Sequence, residues 1–254
     1  MTLQEFFKEN PRVALAFSGG VDSAYLLHTA KEYGATVTAY FIKTQFQPQF
    51  EYDDVLKLSK KINVPLKVID IDILSDENVR SNNELRCYYC KQMIFSSLKK
   101  AALKDGYNII IDGTNASDNA SDRPGMKVLA EMNILSPLKM CNLTKEDIRK
   151  LSKQAGLPTW DKPAYSCLAT RIHMTEEITE QTLKKVETAE AYLYSLGFVD
   201  HRVRVSDMDA VIQIEKIQVP RFEQYEQTIS NKFEEYFDSI SWGDREGNII
   251  GRIK

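Results

Sequence analysis

Cysteine is scarce, with four residues in a chain of 254. That is too few to staple a fold of this size and excludes a disulfide scaffold. Histidine is scarcer still: His28 sits in a helical pattern, and His173 and His201 lack ligand spacing. All three read as core or surface residues rather than metal ligands. No apolar run approaches the roughly 18 residues of a membrane span. Met1–Asn10 is polar and lacks the apolar stretch of a signal peptide, so the expected compartment is the cytoplasm. A dominant charge is also missing. Lys+Arg number 33 against 36 Asp+Glu, a net of −3, so no global field draws nucleic acid or anionic lipid. The balance is uneven, however: residues 1–160 carry 21 basic against 19 acidic side chains, and residues 161–254 carry 12 against 17. An anionic ligand is therefore expected on the first part.

What remains is ordinary globular composition, enough for one large domain or two modest ones. The first part alternates strand and helix. Strands are expected at 13–17, 36–42, 66–71 and 109–112, with a short fifth at 134–137. Helices are expected at 23–33, 52–62, 91–104 and 144–155. This alternation implies an α/β fold with a parallel sheet covered on both faces. The rhythm changes near Trp160. Residues 161–175 hold Pro163 and Cys167 without periodicity and read as a cysteine-bearing loop. Residues 176–254 read as a small α+β domain, with helices at 176–196 and 219–240, a hairpin at 202–206 and 210–214, and a last strand at 248–253. The expected division is thus 1–160, 161–175 and 176–254.

The most informative segment is Ser18-Gly19-Gly20-Val21-Asp22-Ser23, between the first strand and the first helix. Glycines permit close backbone approach, and successive N–H groups with the Ser18 and Ser23 hydroxyls suit phosphate oxygens. Asp22 suits the accompanying Mg²⁺. This is not a Walker loop, because no Gly-Lys-Ser/Thr follows. It resembles the PP-loop of the ATP pyrophosphatases, which implies an adenine nucleotide α-hydrolase fold and cleavage of ATP between its α and β phosphates. Asp112-Gly113-Thr114-Asn115-Ala116-Ser117-Asp118 leaves another strand end. Gly113 is a second phosphate-side candidate, and Asp118 is a candidate for holding Mg²⁺ or positioning the activated substrate. Arg86-Cys87-Tyr88-Tyr89-Cys90-Lys91 fits a redox pair, half a zinc site or a cluster site. Bulky intervening tyrosines disfavour the redox pair. Cys167, four residues before Arg171, is a candidate reactive thiol, and Cys141 reads as structural. Arg202 and Arg204 alternate onto one strand face and suit a phosphate.

Taken together, these segments resemble the LarE family of ATP-dependent sulfur transferases. The resemblance is carried by Ser18–Ser23, Arg86–Lys91, Asp112–Asp118 with Arg123-Pro124-Gly125, Gly156–Pro163, Cys167-Leu-Ala-Thr-Arg-Ile172 and Arg202-Val203-Arg204. His173-Met174-Thr175 departs from the Pro-Tyr-Gly turn common in that family. The resemblance implies adenylation of a carboxylate of a pyridinium biscarboxylic acid mononucleotide, followed by sulfur insertion toward a nickel-pincer nucleotide. It implies catalytic roles for Asp22, Asp118 and Cys167. It also implies a [4Fe-4S] cluster on Cys87, Cys90 and Cys167 as the sulfur carrier, beside ATP and Mg²⁺. Direct sacrifice of Cys167 is the alternative donor. A PP-loop tRNA thiolase is the alternative function, opposed by the acidic second part and the lack of a basic stripe. A metal-binding module with a decayed nucleotide site is opposed by the intact Asp22 and Asp118. The expected partner is a small molecule, without membrane or nucleic acid, and a homo-oligomer suits the sequence as well as a monomer.

Overall fold

The structure, a computed structural model, describes residues 1–118 and 125–253. Arg123 and Pro124 lie outside the described residues. The chain begins α1 (Leu3–Glu9), β1 (Arg12–Ala16), α2 (Val21–Glu32), β2 (Thr36–Lys43), α3 (Gln49–Ile62) and β3 (Leu66–Asp70). It continues α4 (Glu77–Arg80), α5 (Arg86–Lys104), β4 (Ile110–Ile111), α6 (Gly125–Glu131), α7 (Pro137–Met140) and α8 (Lys145–Gln154). It ends α9 (Glu180–Ser195), β5 (Arg202–Ser206), β6 (Asp209–Ile214), α10 (Val219–Phe233), β7 (Ser239–Asp244) and β8 (Ile249–Arg252). Two compact units result: 1–73 with 85–164, and 74–84 with 165–254. None of the described helices is long and apolar enough to cross a membrane.

The first unit carries a four-stranded parallel sheet in the order β3-β2-β1-β4, so the expected α/β class is borne out. Alternate residues of β1 and β2 serve opposite faces. Val13, Leu15, Val37, Ala39 and Phe41 pack with α1, α2 and α8 through Phe6, Leu26 and Ile148. Ala14, Tyr40 and Ile42 pack on the other face with Phe95 and Leu98 of α5 and Val128 of α6. Burial on both faces explains why β1 reads as an unbroken apolar run. The strand order reverses between β1 and β4: the chain steps outward through β2 and β3, then returns to the far side of β1. Open sheets bind ligands beyond their carboxyl ends at such a reversal.

The second unit has a mixed sheet, β5-β6-β7-β8, with β6 and β7 parallel and both outer pairs antiparallel. Its core includes Leu183, Val186 and Leu193 of α9, with Phe222 stacked 4.5 Å from Trp242. The segment 74–84 joins this unit by main-chain bonds. Ile178 N–H donates to Arg80 O at 2.8 Å, and Thr175 N–H to Asn82 O at 3.1 Å.

Four expectations are corrected. Residues 134–137 make an isolated parallel bridge, Leu135 to Ile111, before Pro137 opens α7, rather than a strand. The helix expected at 219–240 stops at Phe233, and Ser239–Asp244 is a strand. The helix expected from 176 begins after its N-cap Thr179. The cysteine helix starts at Arg86, so Cys87 and Cys90 lie within it.

Candidate functional site

Three segments of the first unit meet around the β1/β4 reversal. The loop after β1 turns at Gly19, whose φ is +72°. A Cβ there would come 2.7 Å from Val55 Cγ2 of α3, so the position is closed to other residues both by conformation and by space. Gly20 is the N-cap of α2 and supplies no side-chain cap, which leaves the helix N-terminus to the loop itself. The Ser18 and Ser23 hydroxyls are 3.1 Å apart, and Ser23 Oγ donates to Gly20 O at 3.2 Å. Val21 is buried in the core and anchors the turn.

The loop after β4 lies against this turn. A Cβ on Gly113 would meet Ser23 N at 3.0 Å, so glycine permits the backbones to approach. Asp112 is buried and accepts from Thr114 Oγ1 at 2.5 Å and Ser136 Oγ at 2.6 Å. Burial pushes its carboxyl above the usual range despite those donors. Asp112 therefore shapes the loop. Asp118 accepts from Asn115 N–H at 3.0 Å. Ser117 Oγ accepts from Lys145 N–H at 3.0 Å, which ties the loop to the start of α8.

Asp22 stands at the centre. Its Oδ2 accepts from Lys145 Nζ at 2.5 Å. Its Oδ1 is buried and without a hydrogen-bond partner among the described residues. Burial raises its pKa, Lys145 opposes the rise, and the charge of Asp118 adds to it. A half-buried carboxylate with an unsatisfied oxygen, beside a helix N-terminus and a glycine turn, fits a divalent cation carried by phosphate. At the ends of β2 and β3, a cavity of about 370 Å³ is lined by Lys43, Thr44, Gln45, Asp70, Ile71 and Asp72.

The thiols are distributed. Cys87 is exposed at the second position of α5, with Arg86 Nη2 3.6 Å from its sulfur, and Cys90 follows one turn on, half-buried. A Cβ on Gly125 would touch Cys87 O at 3.2 Å, so glycine lets α6 rest on this first turn. Cys141 packs against the first core, where burial pushes its thiol up. Cys167 belongs to the second unit and opens the short helical turn 168–171. Among the described residues no three His, Cys, Asp or Glu side chains come together as a cation site. Cys87 and Cys90, one turn apart on α5, offer two of the three thiolates of the expected cluster, and the third, Cys167, belongs to the other unit.

The second unit builds a separate cationic cluster around Cys167. Thr170 holds Cys167 O through its N–H at 3.0 Å and its hydroxyl at 2.8 Å. The Thr170 carbonyl accepts from Arg204 Nη1 at 2.7 Å. Arg171 is 1% exposed and paired with Glu190, Nε to Oε1 at 2.7 Å, under the ring of Tyr165. Glu190 also accepts from the Tyr165 hydroxyl at 2.7 Å and Val203 N–H at 2.9 Å. Arg202 is buried, 3.1 Å from Asp200, and also flanks the Tyr165 ring. Burial lowers the pKa of Arg202 and of Arg204, and the neighbouring charges of Arg171 and Arg245 lower both further. Arg171, Arg202, Arg204 and Arg245 stand against Glu190, Asp200 and Glu215, a small excess of positive charge that suits an anion.

Lys145, Glu190 and Arg245 stand in none of the sequence motifs. Two left a signal. A lysine at the first position of a helix opposes the macrodipole. Glu190 interrupts the apolar stripe Leu183, Val186, Leu193 of α9.

Comparison with known proteins gives this geometry a lineage. The family model described as queuosine biosynthesis protein QueC matches residues 12–86, which span β1 through the start of α5. The chain is 35% identical to the uncharacterized protein slr1717 of Synechocystis, over 87% of this chain and 83% of that protein. It is 31% identical to pyridinium-3,5-bisthiocarboxylic acid mononucleotide synthase of Lactiplantibacillus plantarum, over 87% of this chain and 81% of that enzyme. The chain belongs to the LarE family of PP-loop proteins. It is therefore an enzyme of the ATP-dependent sulfur-transfer type, and the PP-loop family implies use of ATP and Mg²⁺. A tRNA-specific 2-thiouridylase, MnmA of Pseudothermotoga lettingae, is more distant, 26% identical over 59% of this chain and 54% of that enzyme.

Proposed function

We propose that this LarE-family enzyme activates a carboxylate of a pyridinium biscarboxylic acid mononucleotide with ATP and replaces one carboxylate oxygen with sulfur. The observation that carries the reading is the glycine turn of residues 18–23 at the β1/β4 reversal, in which Asp22 Oδ1 is buried without a hydrogen-bond partner among the described residues. In the first step a substrate carboxylate oxygen attacks the α-phosphorus, and pyrophosphate leaves with the electron pair of the α–β bridge. In the second a sulfur nucleophile attacks the acyl carbon, and AMP leaves with one former carboxylate oxygen. The product is a thiocarboxylate. Ser18, Gly19, Gly20, Val21 and Ser23 would bind the phosphates, Gly113 would allow the second loop to close on them, and Asp22 with Asp118 would hold Mg²⁺. The metal would supply charge neutralisation at the phosphates when bound. Arg202 and Arg204 would anchor the acceptor's phosphate, supported by the excess of guanidiniums over carboxylates around them.

For the sulfur donor we propose a [4Fe-4S] cluster on Cys87, Cys90 and Cys167, supported by the sequence pattern alone. One observation favours a second reading, direct donation from Cys167: its carbonyl is held by Thr170, whose own carbonyl binds Arg204. In that reading the Cys167 thiolate displaces AMP to form a thioester. Loss of its α-proton and cleavage of its Cβ–S bond then release the thiocarboxylate and leave dehydroalanine.

The test is an anaerobic assay with ATP, Mg²⁺ and the mononucleotide acceptor. Acceptor-dependent AMP and a thiocarboxylate product are expected. AMP release that survives Asp22→Ala, or sulfur delivered to tRNA instead, overturns the reading. The donors separate by mass and by variant. Sacrifice removes the elements of H₂S from the protein and tolerates Cys87→Ala for one turnover. A cluster leaves the polypeptide mass unchanged and requires Cys87.

A further inference from the structure

Asp22 is served by two cations of different character. Arg149, one turn along α8, contributes charge, but its guanidinium is fixed by the carbonyls of Trp160 at 2.7 Å and Lys162 at 2.8 Å. Lys145 touches the carboxylate itself, at 2.5 Å, from the end of a flexible four-carbon stem. Its backbone is anchored. The N–H is bound to Ser117 Oγ, and the preceding Thr144 forms a capping box with Asp147. The root of Lys145 is therefore rigid while its ammonium, about one-third exposed, can swing.

The position of this lysine is costly unless the ammonium has a second use. A cation in the first turn of a helix opposes the macrodipole. The surface around it already holds the N-terminus of α2 and the fixed charge of Arg149. Against these stand Asp22 and Asp118. A divalent cation on Asp22 would turn the neighbourhood strongly positive, and the ammonium would then be repelled from the carboxylate. The phosphates arriving with that cation offer it oxygens. Lysine binds phosphate as a point charge without the geometric demands of arginine, so one swinging side chain can serve both partners.

We propose that Lys145 and the divalent cation compete for Asp22, and that the displaced ammonium of Lys145 binds the phosphate oxygens of the nucleotide. This makes Lys145 a phosphate-binding residue that also guards the metal ligand against cations arriving without nucleotide. The inference rests on the nucleotide reading of the 18–23 turn.

The competition predicts effects of opposite sign, which a merely structural ion pair would not give. Lys145→Met keeps the aliphatic stem and removes the charge. In the absence of nucleotide, Mn²⁺ followed by electron paramagnetic resonance should bind Lys145→Met on the order of tenfold tighter than wild type, since a charged hydrogen bond to Asp22 is gone. With Mn²⁺ saturating, α,β-methylene-ATP measured by calorimetry should bind the variant on the order of tenfold more weakly. Lys145→Arg should move both values back toward wild type. Lys145→Gln, which keeps a neutral donor, serves as the second neutral variant should the methionine protein fold poorly. If both neutral variants leave either affinity unchanged, or weaken both, the competition is refuted. Asp22→Ala separates this failure from failure of the underlying reading. An Asp22→Ala protein that still binds Mn²⁺–nucleotide like wild type removes the nucleotide site itself. One that loses binding, beside unaltered Lys145 variants, removes only the role of Lys145.

Discussion

The two units build their candidate anion sites in different ways. The first builds its site from backbone: a glycine turn, a helix N-terminus and a second loop brought close by Gly113, with one carboxylate at the centre. The second builds its site from side chains: Arg171, Arg202, Arg204 and Arg245, arranged by Glu190, Asp200 and the Tyr165 ring. The backbone site is local, since six consecutive residues supply most of it. The side-chain site draws on residues 165–245 and exists only once the sheet has formed. Substitution should expose this difference, because the first site can lose function without losing the fold and the buried Arg171–Glu190 centre of the second cannot.

The largest expected effect comes from Glu190→Ala. The substitution strands a buried Arg171, the Tyr165 hydroxyl and the Val203 N–H together. Breaking a buried charge pair from one side costs about 3–5 kcal/mol. Urea unfolding should show that loss. A change below about 1 kcal/mol would mean that Glu190 is not the keystone of the cluster. Asp22→Asn should do the reverse. AMP formation should fall at least about a hundredfold, while stability holds or rises, because burial already disfavours the ionised carboxylate. Joint loss of fold and activity would erase the contrast between the sites. Arg204→Ala should be milder, since this side chain is more exposed than Arg202 and its two partners are a carbonyl and an amide oxygen. The acceptor KM should rise about tenfold with the ATP KM unchanged. A change in the ATP KM instead would move Arg204 to the other substrate.

The same difference decides what could be read from the sequence. The turn 18–23 was legible because its chemistry is contiguous and its flanks are a buried strand and a helix. β1 and β2 were legible for the same reason: burial on both faces writes them as apolar runs. Sequence periodicity failed where two elements share one stripe. Phe222, Ile229, Phe233, Phe237 and Ile240 keep helical spacing through the end of α10 and into β7, and no glycine or proline marks the break. α1 leaves no helical pattern in the sequence although Thr2 and Glu5 form a capping box, because a seven-residue helix has little periodicity to show. Arg202 and Arg204 were visible as a strand face. Arg245 and Glu190, which set their charge environment, were not, because tertiary contact brings them there from other elements.

The smallest effect sharpens the comparison through pH. Asp22 and His201 are both buried enough to resist charging, and they push stability in opposite directions. The pKa of Asp22 is raised by burial, so on acidification the folded protein takes up this proton before the unfolded chain does. Between the ordinary carboxylate range and the raised value, that group makes folding more favourable as pH falls. His201 is 7% exposed, with Nε2 2.8 Å from Glu190 O and Nδ1 3.2 Å from Phe198 O. Burial lowers its pKa below the ordinary value near 6.5, aided by the charge of Arg202, while the charge of Glu190 and the two carbonyls oppose the shift. Here the unfolded chain takes up the proton first. Stability contributed by neutral His201 is therefore full above the unfolded pKa. It is lost as pH falls below about 6.5, with a slope of at most about 1.4 kcal/mol per pH unit, and levels off once the folded pKa is passed. Urea unfolding at pH 7.5, 6.5 and 5.5 should show this loss in wild type and less of it in His201→Phe, the difference between the two curves cancelling the carboxylates they share. Glu190→Gln removes a charge that helps His201 accept its proton, so it should steepen the loss where His201→Phe flattens it. Equal slopes in all three proteins would mean that the imidazole titrates alike in both states, and that burial in the second unit does not govern its charge.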